Sequence, residues 1–326
     1  MPLVFEELKL GPLLGSGTVS HVFSAQMEDR AEPVAIKMLK PEAAANPLIR
    51  ARFRREIDVL QRLNHPNIIR YIDRGEHHGK LFIVTELVQG HNLRELLNRF
   101  ERLAPVEIRY IGMQICSALQ HAHNNGIIHR DLKPSNLFFT DLGQLKLGDF
   151  GIARDIRRED LADQGITVGT AAYMSPEQIC GDNTVGAKAD LYSLGCVLYE
   201  SITGRPVFEG TDSQRILDQQ LTSIPPHIRD FVDCPPDLDK VVFDLLNKLP
   251  EKRPHSARTV QGVLSELTFP VNPMDPKTDP GQLLLRSRLQ WTPRQEASWW
   301  KIAILSAIGI GIVITSIVLS QVLNHA

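Results

Sequence analysis

Hydrophobic and polar residues alternate along the first part of the chain in the order that is typical of β-strands. The alternation covers residues 5–40, around a glycine-containing turn, and returns in residues 68–71 and 81–87. Between these segments, Phe53 and Ile57 belong to a set of apolar residues spaced three and four apart, which places them on one face of a helix. This part of the chain is therefore predicted to be a sheet with one helix.

The pattern becomes mainly helical beyond Gly90. Apolar residues with helical spacing mark residues 93–100, 106–124, 189–203 and 238–248. A strand-rich part followed by a helix-rich part predicts an α+β fold with two lobes. After residue 267, prolines interrupt the chain and no period is sustained, so residues 268–298 are predicted to form a semi-extended linker.

A long uncharged segment lies near the end of the sequence. Residues 302–319 contain no charged side chain and would measure roughly 27 Å as a helix, close to the thickness of the hydrocarbon core of a bilayer. With Trp299 and Trp300 at the interface, the segment predicts one transmembrane helix over residues 299–323. A buried globular helix is the alternative, although such helices are usually shorter and carry a polar face.

The charges around this segment predict its orientation. The basic residues Arg286, Arg288, Arg294 and Lys301 all lie before residue 302, where the uncharged segment begins. Because positive residues stay on the cytoplasmic side of a membrane, residues 1–298 are expected to be cytoplasmic. The protein is thus expected to be a single-pass protein of the cell membrane, with residues 324–326 as a short external tail and no external sensing domain.

Small residues recur at every fourth position of the predicted span, at Ala303, Ala307, Gly311 and Thr315. Such a stripe lets two helices approach closely, so a homodimer is one expectation. Small residues are also common in membrane helices generally, and a monomer is the alternative.

Composition and charge narrow the class of protein further. Hydrophobic residues make up 43% and charged residues 23% of the chain, as in ordinary globular proteins. The formal net charge is -2, so no excess of positive charge is present to bind a nucleic acid, and no such partner is expected. The four cysteines lie far apart without metal-binding spacing, which predicts reduced thiols in a cytoplasmic domain.

Two short strings carry the chemistry. Residues 129–136 read His-Arg-Asp-Leu-Lys-Pro-Ser-Asn, and residues 149–151 read Asp-Phe-Gly. Both match the signature set of protein kinases. On these strings the chain resembles the eukaryotic-like serine/threonine protein kinases, in particular the membrane-anchored bacterial members.

The resemblance implies a role for four polar residues of these strings. Asp131 is expected to be the catalytic base for the substrate hydroxyl, and Lys133 to stabilise the transferred phosphoryl group. Asn136, a further catalytic residue, and Asp149 are expected to bind Mg²⁺.

The predicted sheet contains two further motifs of this family. Residues 15–22 resemble the glycine-rich loop that covers ATP phosphates, with Ser20 in place of the third glycine. Residues 34–37 read Val-Ala-Ile-Lys and resemble the strand whose lysine contacts the phosphates and pairs with a helix glutamate, here Lys37 and Glu56. By resemblance, the ATP-binding residues are Leu14, Gly15, Ser16, Gly17, Val22, Ala35, Lys37, Glu56, Glu86, Val88, Phe138 and Asp149.

Residues 169–177 resemble the end of the activation segment, which docks protein substrates in this family. The resemblance implies that Thr170 contacts Asp131 and Lys133. It also implies an ion pair between Glu177 and Arg253. Asp190 is expected to brace residues 129–136, the catalytic loop, from below.

Thr167 is the only hydroxyl-bearing residue between Gly151 and Gly169. A phosphate there would add up to two negative charges and would pair with Arg130, which would order the segment. Thr167 is therefore predicted to be the main autophosphorylation site, with an unmodified loop threonine as the alternative.

These features predict a kinase domain over residues 1–267, with an N-lobe at 1–85, a hinge at 86–90 and a C-lobe at 91–267. The expected activity is transfer of the ATP γ-phosphate to serine and threonine hydroxyls of protein substrates, with ATP and Mg²⁺ as cofactors. Two alternatives stay open. A membrane-anchored pseudokinase scaffold would not require the catalytic residues, and a small-molecule phosphotransferase would leave the substrate-docking segment unexplained.

Overall fold

The computed structural model describes residues 3, 5–150, 167–182, 185–269 and 278–290. The predicted span at residues 299–323 and the predicted tail lie outside this part of the chain. Among the residues that are described, no helix combines the length and the apolar character needed to cross a membrane.

The described N-lobe contains an antiparallel sheet in the order β1-β2-β3-β5-β4. The strands are β1 (Leu8–Ser16), β2 (Ser20–Met27), β3 (Val34–Leu39), β4 (Tyr71–His77) and β5 (Lys80–Glu86). The predicted strand at residues 68–71 is wrong in position, because the chain there pairs with the C-lobe instead. Ile69 N donates to Leu147 O at 2.9 Å, and Leu147 N donates to Asn67 O at 2.8 Å.

The two faces of this sheet pack into different clusters. On β5, Ile83 packs in the cluster that includes the helix after β3, whereas Val84 packs with Ile36 in a separate cluster. Because neighbours along a strand point to opposite faces, Ala35 and Lys37 lie on the face opposite Ile36. The register agrees, since Lys37 is paired with Ile83. Lys37 therefore lies on the same face as the helix.

That helix, α2 (Pro47–Leu60), follows a short helix, α1 (Pro41–Ala44). α2 begins at a capping residue, Asn46, whose side chain accepts a hydrogen bond from Leu48 N at 2.9 Å. Its buried residues are Phe53, Glu56, Ile57 and Leu60. The predicted helix is confirmed, and its buried face contains one carboxylate that needs a cationic partner.

The C-lobe is mainly helical, as predicted. Its helices are α3 (Leu93–Phe100), α4 (Pro105–Asn124), α5 (Val168–Ala171), α6 (Pro176–Ile179), α7 (Ala187–Thr203), α8 (Ser213–Thr222), α9 (Pro236–Leu245) and α10 (Ala257–Glu266). α7 is buried on nearly all sides and forms the centre of the lobe. The helix predicted at residues 238–248 ends earlier, because Arg253 binds the carbonyls of Asn247 and Lys248 at 2.8 and 3.1 Å.

A two-stranded hairpin of β6 (Leu137–Phe139) and β7 (Leu145–Leu147) contacts both lobes. Ile68 of the N-lobe forms a bridge with Leu147, and Asn92 of the C-lobe forms one with Phe138. The hairpin thus fixes the segments on either side of it, residues 129–136 and Asp149, relative to both lobes.

A further helix, α11 (Pro280–Leu289), lies within the predicted linker. The prediction of an extended conformation is wrong over this helix. Pro280 is the first helical residue, where the missing N–H of proline is not needed. Leu285 is completely buried, and a Cβ on Gly281 would lie 2.4 Å from the carbonyl oxygen of Val106. This segment therefore folds back onto α4.

Candidate active site

Lys37 connects the sheet, helix α2 and the hairpin. Its Nζ atom lies 2.7 Å from Glu56 Oε1 and 3.0 Å from Asp149 Oδ1. The ion pair expected between Lys37 and Glu56 is present, and it neutralises the buried carboxylate of α2. The structure also brings Asp149, which is distant in sequence, to the same lysine.

Lys37 favours the charged forms of both carboxylates, although burial and the nearby Asp149 still raise the pKa of Glu56. Burial lowers the pKa of Lys37, but the carboxylates of Asp149 and Glu56 outweigh burial and hold that pKa well above its ordinary value. Lys37 in turn lowers the pKa of Asp149, because the ammonium group favours the charged carboxylate. Lys37 is therefore a cation and Asp149 a carboxylate at neutral pH. The Asp149 side chain is 52% exposed, so its carboxylate is accessible to a ligand.

The turn between β1 and β2 presents an open backbone. Apart from its chain neighbours, no atom of the described residues lies within 4 Å of the position that a Cβ on Gly15 would take, and Gly17 N donates to Ser20 O at 2.9 Å. Ser20, in place of the third glycine, is the first residue of β2, pairs with Leu39 and is only 6% exposed. The replacement therefore lies in a regular strand and leaves the turn open. The other residues predicted to contact ATP from this side are exposed or half-buried: Leu14, Ser16, Val22 and Ala35.

The catalytic-loop residues are held together by their own side chains. Lys133 Nζ lies 2.9 Å from Asp131 Oδ2, and Asn136 Nδ2 donates to Asp131 O at 2.8 Å. Because the amide nitrogen of Asn136 faces Asp131, its Oδ1 oxygen is the atom available for a cation. The loop thus presents a carboxylate, a cation and an amide oxygen together.

Two residues of the site have unusual backbone angles. Arg130 and Asp149 have φ values of 64° and 49°. Positive φ is uncommon for residues other than glycine. It persists only where the surrounding structure holds the backbone in place, and such residues cluster at functional sites. His129 contributes to this enforcement, since its Nε2 atom lies 3.0 Å from Gly148 O and its ring packs against Phe150 at 4.7 Å. His129 is therefore structural.

Asp190 of α7 braces the same loop from below. Its buried carboxylate accepts hydrogen bonds from the amides of His129 and Arg130, both at 2.8 Å, and from His123 Nε2 at 2.7 Å. Burial raises the pKa of Asp190, but these hydrogen bonds and the nearby histidines outweigh burial and lower it. His123 was not identified from the sequence, because a single histidine in a helix belongs to no motif.

The predicted hinge follows directly on β5. The Glu86 side chain accepts hydrogen bonds from Arg70 N and Lys146 Nζ, both at 2.8 Å, and the backbone N of Glu86 donates to Arg70 O at 2.9 Å. Val88 is half-buried. Gly90 is required, because a Cβ there would lie 2.0 Å from the carbonyl oxygen of Phe139.

Phe138 lies on the opposite side of the predicted nucleotide site. It is half-buried on β6, opposite Lys146, and its ring would lie 3.2 Å from a Cβ on Gly148. The predicted adenine-contacting residue is therefore next to Asp149 in space.

A cleft of about 490 Å³ opens beside the catalytic loop. Its lining includes Lys133, Thr167 and Thr170, so the two threonines and the predicted catalytic lysine line the same cleft. Thr167 is exposed, and its Oγ1 atom lies 3.5 Å from Oγ1 of Thr170. The pairing of a phosphate on Thr167 with Arg130 stays a prediction.

The wall of this cleft contains an ion pair that the sequence did not reveal. Arg94 of α3 donates to Glu200 of α7 through NH1 at 2.8 Å and NH2 at 3.1 Å. The Tyr173 hydroxyl contacts both side chains. The two charged partners are 106 residues apart, so no local spacing signals the pair.

The side chains around Lys37 and Asp131 fit a nucleotide with a divalent cation. Asp149 offers a carboxylate and Asn136 an amide oxygen, which are ligands of the type that Mg²⁺ prefers. In the described residues, no group of three or more His, Cys, Asp or Glu side chains is arranged to hold a metal.

Comparison with known proteins agrees with this chemistry. A family model described as a protein kinase domain matches residues 8–266. A probable serine/threonine-protein kinase PknB of Corynebacterium glutamicum is 38% identical over 277 residues, which cover 82% of this chain and 43% of that protein. The serine/threonine-protein kinase PknB of Mycobacterium leprae is 38% identical over 283 residues, which cover 85% and 45%. The chain thus spans less than half the length of these curated relatives.

A solved structure resembles this chain over its described core. The crystal structure of the Mycobacterium tuberculosis PknI kinase domain is 29% identical, with a TM-score of 0.63, and the match covers 81% of this chain and 97% of that domain.

Proposed function

Since this chain belongs to the protein kinase domain family, we propose that it is a serine/threonine protein kinase that transfers the γ-phosphate of ATP to protein hydroxyls. The observation that carries the proposal is the position of Asp131, 2.9 Å from Lys133 and hydrogen-bonded through its carbonyl to Asn136. Phosphoryl transfer to a hydroxyl needs one carboxylate to orient that hydroxyl and positive charge near the transferred group.

Each side chain of the site has a distinct task in this reaction. Asp131 orients the substrate hydroxyl and accepts its proton, while Lys133 places positive charge beside the transferred group. Lys37 binds the α- and β-phosphates, and Glu56 holds it in place at 2.7 Å. Mg²⁺ supplies charge neutralisation and alignment of the phosphates when bound, and Asn136 and Asp149 are the residues that would hold it.

The nucleotide itself lies between the lobes in this proposal. The open turn around Gly15 and Gly17 receives the phosphates, and the hinge at Glu86 and Val88 receives the adenine. Apolar contacts to the ring come from residues on both sides, namely Leu14, Val22, Ala35 and Phe138. The protein substrate enters the cleft lined by Lys133 and Thr170.

The test is phosphoryl transfer from radiolabelled ATP by the full chain. Asp131→Asn is expected to lower the rate by about 10²- to 10⁴-fold, because the hydroxyl loses its proton acceptor. Asp29→Asn makes the same chemical change in an exposed turn and is expected to leave the rate unchanged. Equal transfer by wild type and Asp131→Asn would refute the catalytic assignment. Absence of transfer from every variant would favour the pseudokinase scaffold.

Thr167 is the proposed activating autophosphorylation site. It is exposed and lines the same cleft as Lys133, within reach of a second copy of the enzyme. A phosphate there would pair with Arg130. Thr167→Ala is expected to lower activity and to remove the main phosphopeptide seen by mass spectrometry. A fully active enzyme with unmodified Thr167 would contradict this.

The proposed location is the cell membrane, with residues 299–323 as a single span and the kinase domain in the cytoplasm. The length and uncharged composition of residues 302–319 support it. The full chain is expected in the membrane fraction, and a chain ending at residue 298 in the soluble fraction. Recovery of both in the soluble fraction would contradict the anchor.

Self-association through the span is the accompanying proposal. It is supported by the small-residue stripe that includes Gly311. Gly311→Leu is expected to weaken dimerisation in a membrane two-hybrid assay, and unchanged association would argue against a helix-mediated dimer.

A further inference from the structure

The hairpin of β6 and β7 carries both proposed cation ligands at its base. Asn136 directly precedes β6, and Asp149 stands two residues after β7. The two ends are joined to each other, because Gly148 N donates to Asn136 O at 2.9 Å. Between base and tip, the strands pair in an unbroken register, Leu137 with Leu147, Phe138 with Lys146 and Phe139 with Leu145. A displacement of the hairpin therefore moves both ligands.

The tip of this hairpin is held by α11. The carbonyl oxygen of Leu142 accepts hydrogen bonds from Gln282 Nε2 at 2.9 Å and from Arg286 Nε at 2.8 Å. Gly143 has a φ of 75°, and a Cβ there would lie 3.4 Å from the Arg286 side chain. The two donors are four residues apart and so project from one face of the helix. α11 thus holds the tip from outside the matched kinase domain, which ends at residue 266.

α11 is itself firmly anchored to α4. Leu285 is completely buried, and Arg288 Nε lies 2.8 Å from Glu107 Oε1, a carboxylate that is also completely buried. A second ion pair joins Arg109 of α4 to Asp279, the residue directly before α11. Because the helix is fixed at several points, its contact with Leu142 restrains the hairpin tip relative to the C-lobe.

We propose that Gln282 and Arg286 are positioning residues for phosphoryl transfer. They hold the hairpin so that Asn136 and Asp149 keep the geometry that a magnesium-bound nucleotide requires. The inference rests on the proposed kinase function, since it assigns these residues a part in the same site. A displacement of α11 therefore weakens binding of the magnesium-bound nucleotide, although the contacts of α11 are with the hairpin tip.

The test compares the full-length wild type with Gln282→Ala/Arg286→Ala. Leu284→Ala is the matched control, because Leu284 lies on the same helix and is 45% exposed. Calorimetry gives the Kd for ATP with and without Mg²⁺, and hydrogen exchange gives the protection of amides in residues 137–147. These measurements require no turnover.

The double variant is expected to bind ATP with Mg²⁺ about threefold to tenfold more weakly, somewhat less than the loss typical of a direct partner of a metal ligand. Its affinity for ATP without Mg²⁺ is expected to change less, because Asn136 and Asp149 act through the cation. Its hairpin amides are expected to exchange faster, whereas Leu284→Ala behaves like the wild type. Unchanged affinity, equal losses with and without Mg²⁺, or unchanged exchange overturns the proposal.

Two further controls keep the result unambiguous. If the double variant fails to fold, Arg286→Gln takes its place, since it keeps the anchors at Leu285 and Arg288. Phosphoryl transfer by the wild type is measured separately. A wild type that binds ATP with Mg²⁺ but transfers no phosphate contradicts the proposed function, while binding and exchange still decide the role of Gln282 and Arg286. A wild type that binds no ATP overturns both.

Discussion

Arg94 of α3 covers Glu200 of α7 in a two-pronged ion pair, with N–O distances of 2.8 and 3.1 Å. The pair belongs to the wall of the cleft beside Lys133. The Glu200 side chain is 8% exposed and the Arg94 side chain 36%, so the surface offered to a substrate is the guanidinium and not the carboxylate. We therefore expect the cleft to disfavour a basic substrate residue at this point.

Arg94→Gln is expected to change substrate preference, because it exposes an unpaired carboxylate to the cleft. The ratio of kcat/KM for peptides with arginine near the acceptor hydroxyl to that for peptides with glutamate should rise about fivefold, equivalent to roughly 1 kcal/mol. A peptide library assayed with wild type, Arg94→Gln and the exposed-site control Arg102→Gln measures this. An identical preference in all three would show that the pair serves structure alone.

The ion pair between Arg253 and Glu177 is expected to stabilise the C-lobe strongly. Arg253 is buried and binds both Glu177 oxygens, at 2.7 and 2.8 Å, so its loss leaves a carboxylate without a partner. Arg253→Met should lower the free energy of unfolding by about 3–5 kcal/mol. Arg253→Lys should restore only part of it, because an ammonium does not reproduce the two-pronged contact.

Urea unfolding measures both losses, and Lys240→Met is the control. Lys240 pairs with Asp244 on the surface, where ion pairs contribute little, so no change beyond error is expected. Comparable losses from the buried and the exposed pair would contradict the assigned role of burial.

Asp190 is expected to make the fold sensitive to acid. Its pKa is lowered in the folded protein, so the unfolded chain binds more protons near the ordinary carboxyl value of about 4. The stability contributed by Asp190 is complete above that value and is lost as the pH falls through the folded pKa. Asp190→Asn should therefore lower the Tm at pH 7, and the difference from wild type should shrink below about pH 4. A difference that is independent of pH would exclude this charge-based role.

Residues in short motifs could be predicted from the sequence because their spacing is local. The strings at residues 34–37 and 129–136 predicted where Lys37 and Asp131 would lie. The partner of Lys37 on α2 was accessible in the same way, since Glu56 lies beside the apolar face of an amphipathic helix.

Features that depend on distant partners were not predictable. The helix α11 lacks a strong apolar stripe, and its one completely buried leucine, Leu285, packs against a helix far away in sequence. Pro280 also suggested a break in the chain, whereas proline is well tolerated as a first helical residue. The contacts of His123 with Asp190 and of Arg94 with Glu200 arise only once the C-lobe is packed.

Replacing Gly262 or Gly90 with alanine should change the free energy of unfolding in opposite directions. Gly262 is exposed inside α10, and outside the helix's own backbone no described atom lies within 4 Å of the position of a Cβ, so Gly262→Ala should raise the free energy of unfolding by about 0.5–1 kcal/mol. Gly90→Ala should lower it by about 1–3 kcal/mol, because a Cβ there would meet the Phe139 carbonyl at 2.0 Å and force the hinge to move. The same movement should weaken ATP binding, since Glu86 and Val88 belong to the hinge. Urea unfolding and calorimetric titration of ATP on both variants measure these changes. Stabilisation by Gly90→Ala would mean that the hinge accommodates the added methyl group. Unchanged ATP affinity in a destabilised Gly90→Ala variant would mean that the hinge backbone does not determine the geometry of the nucleotide site.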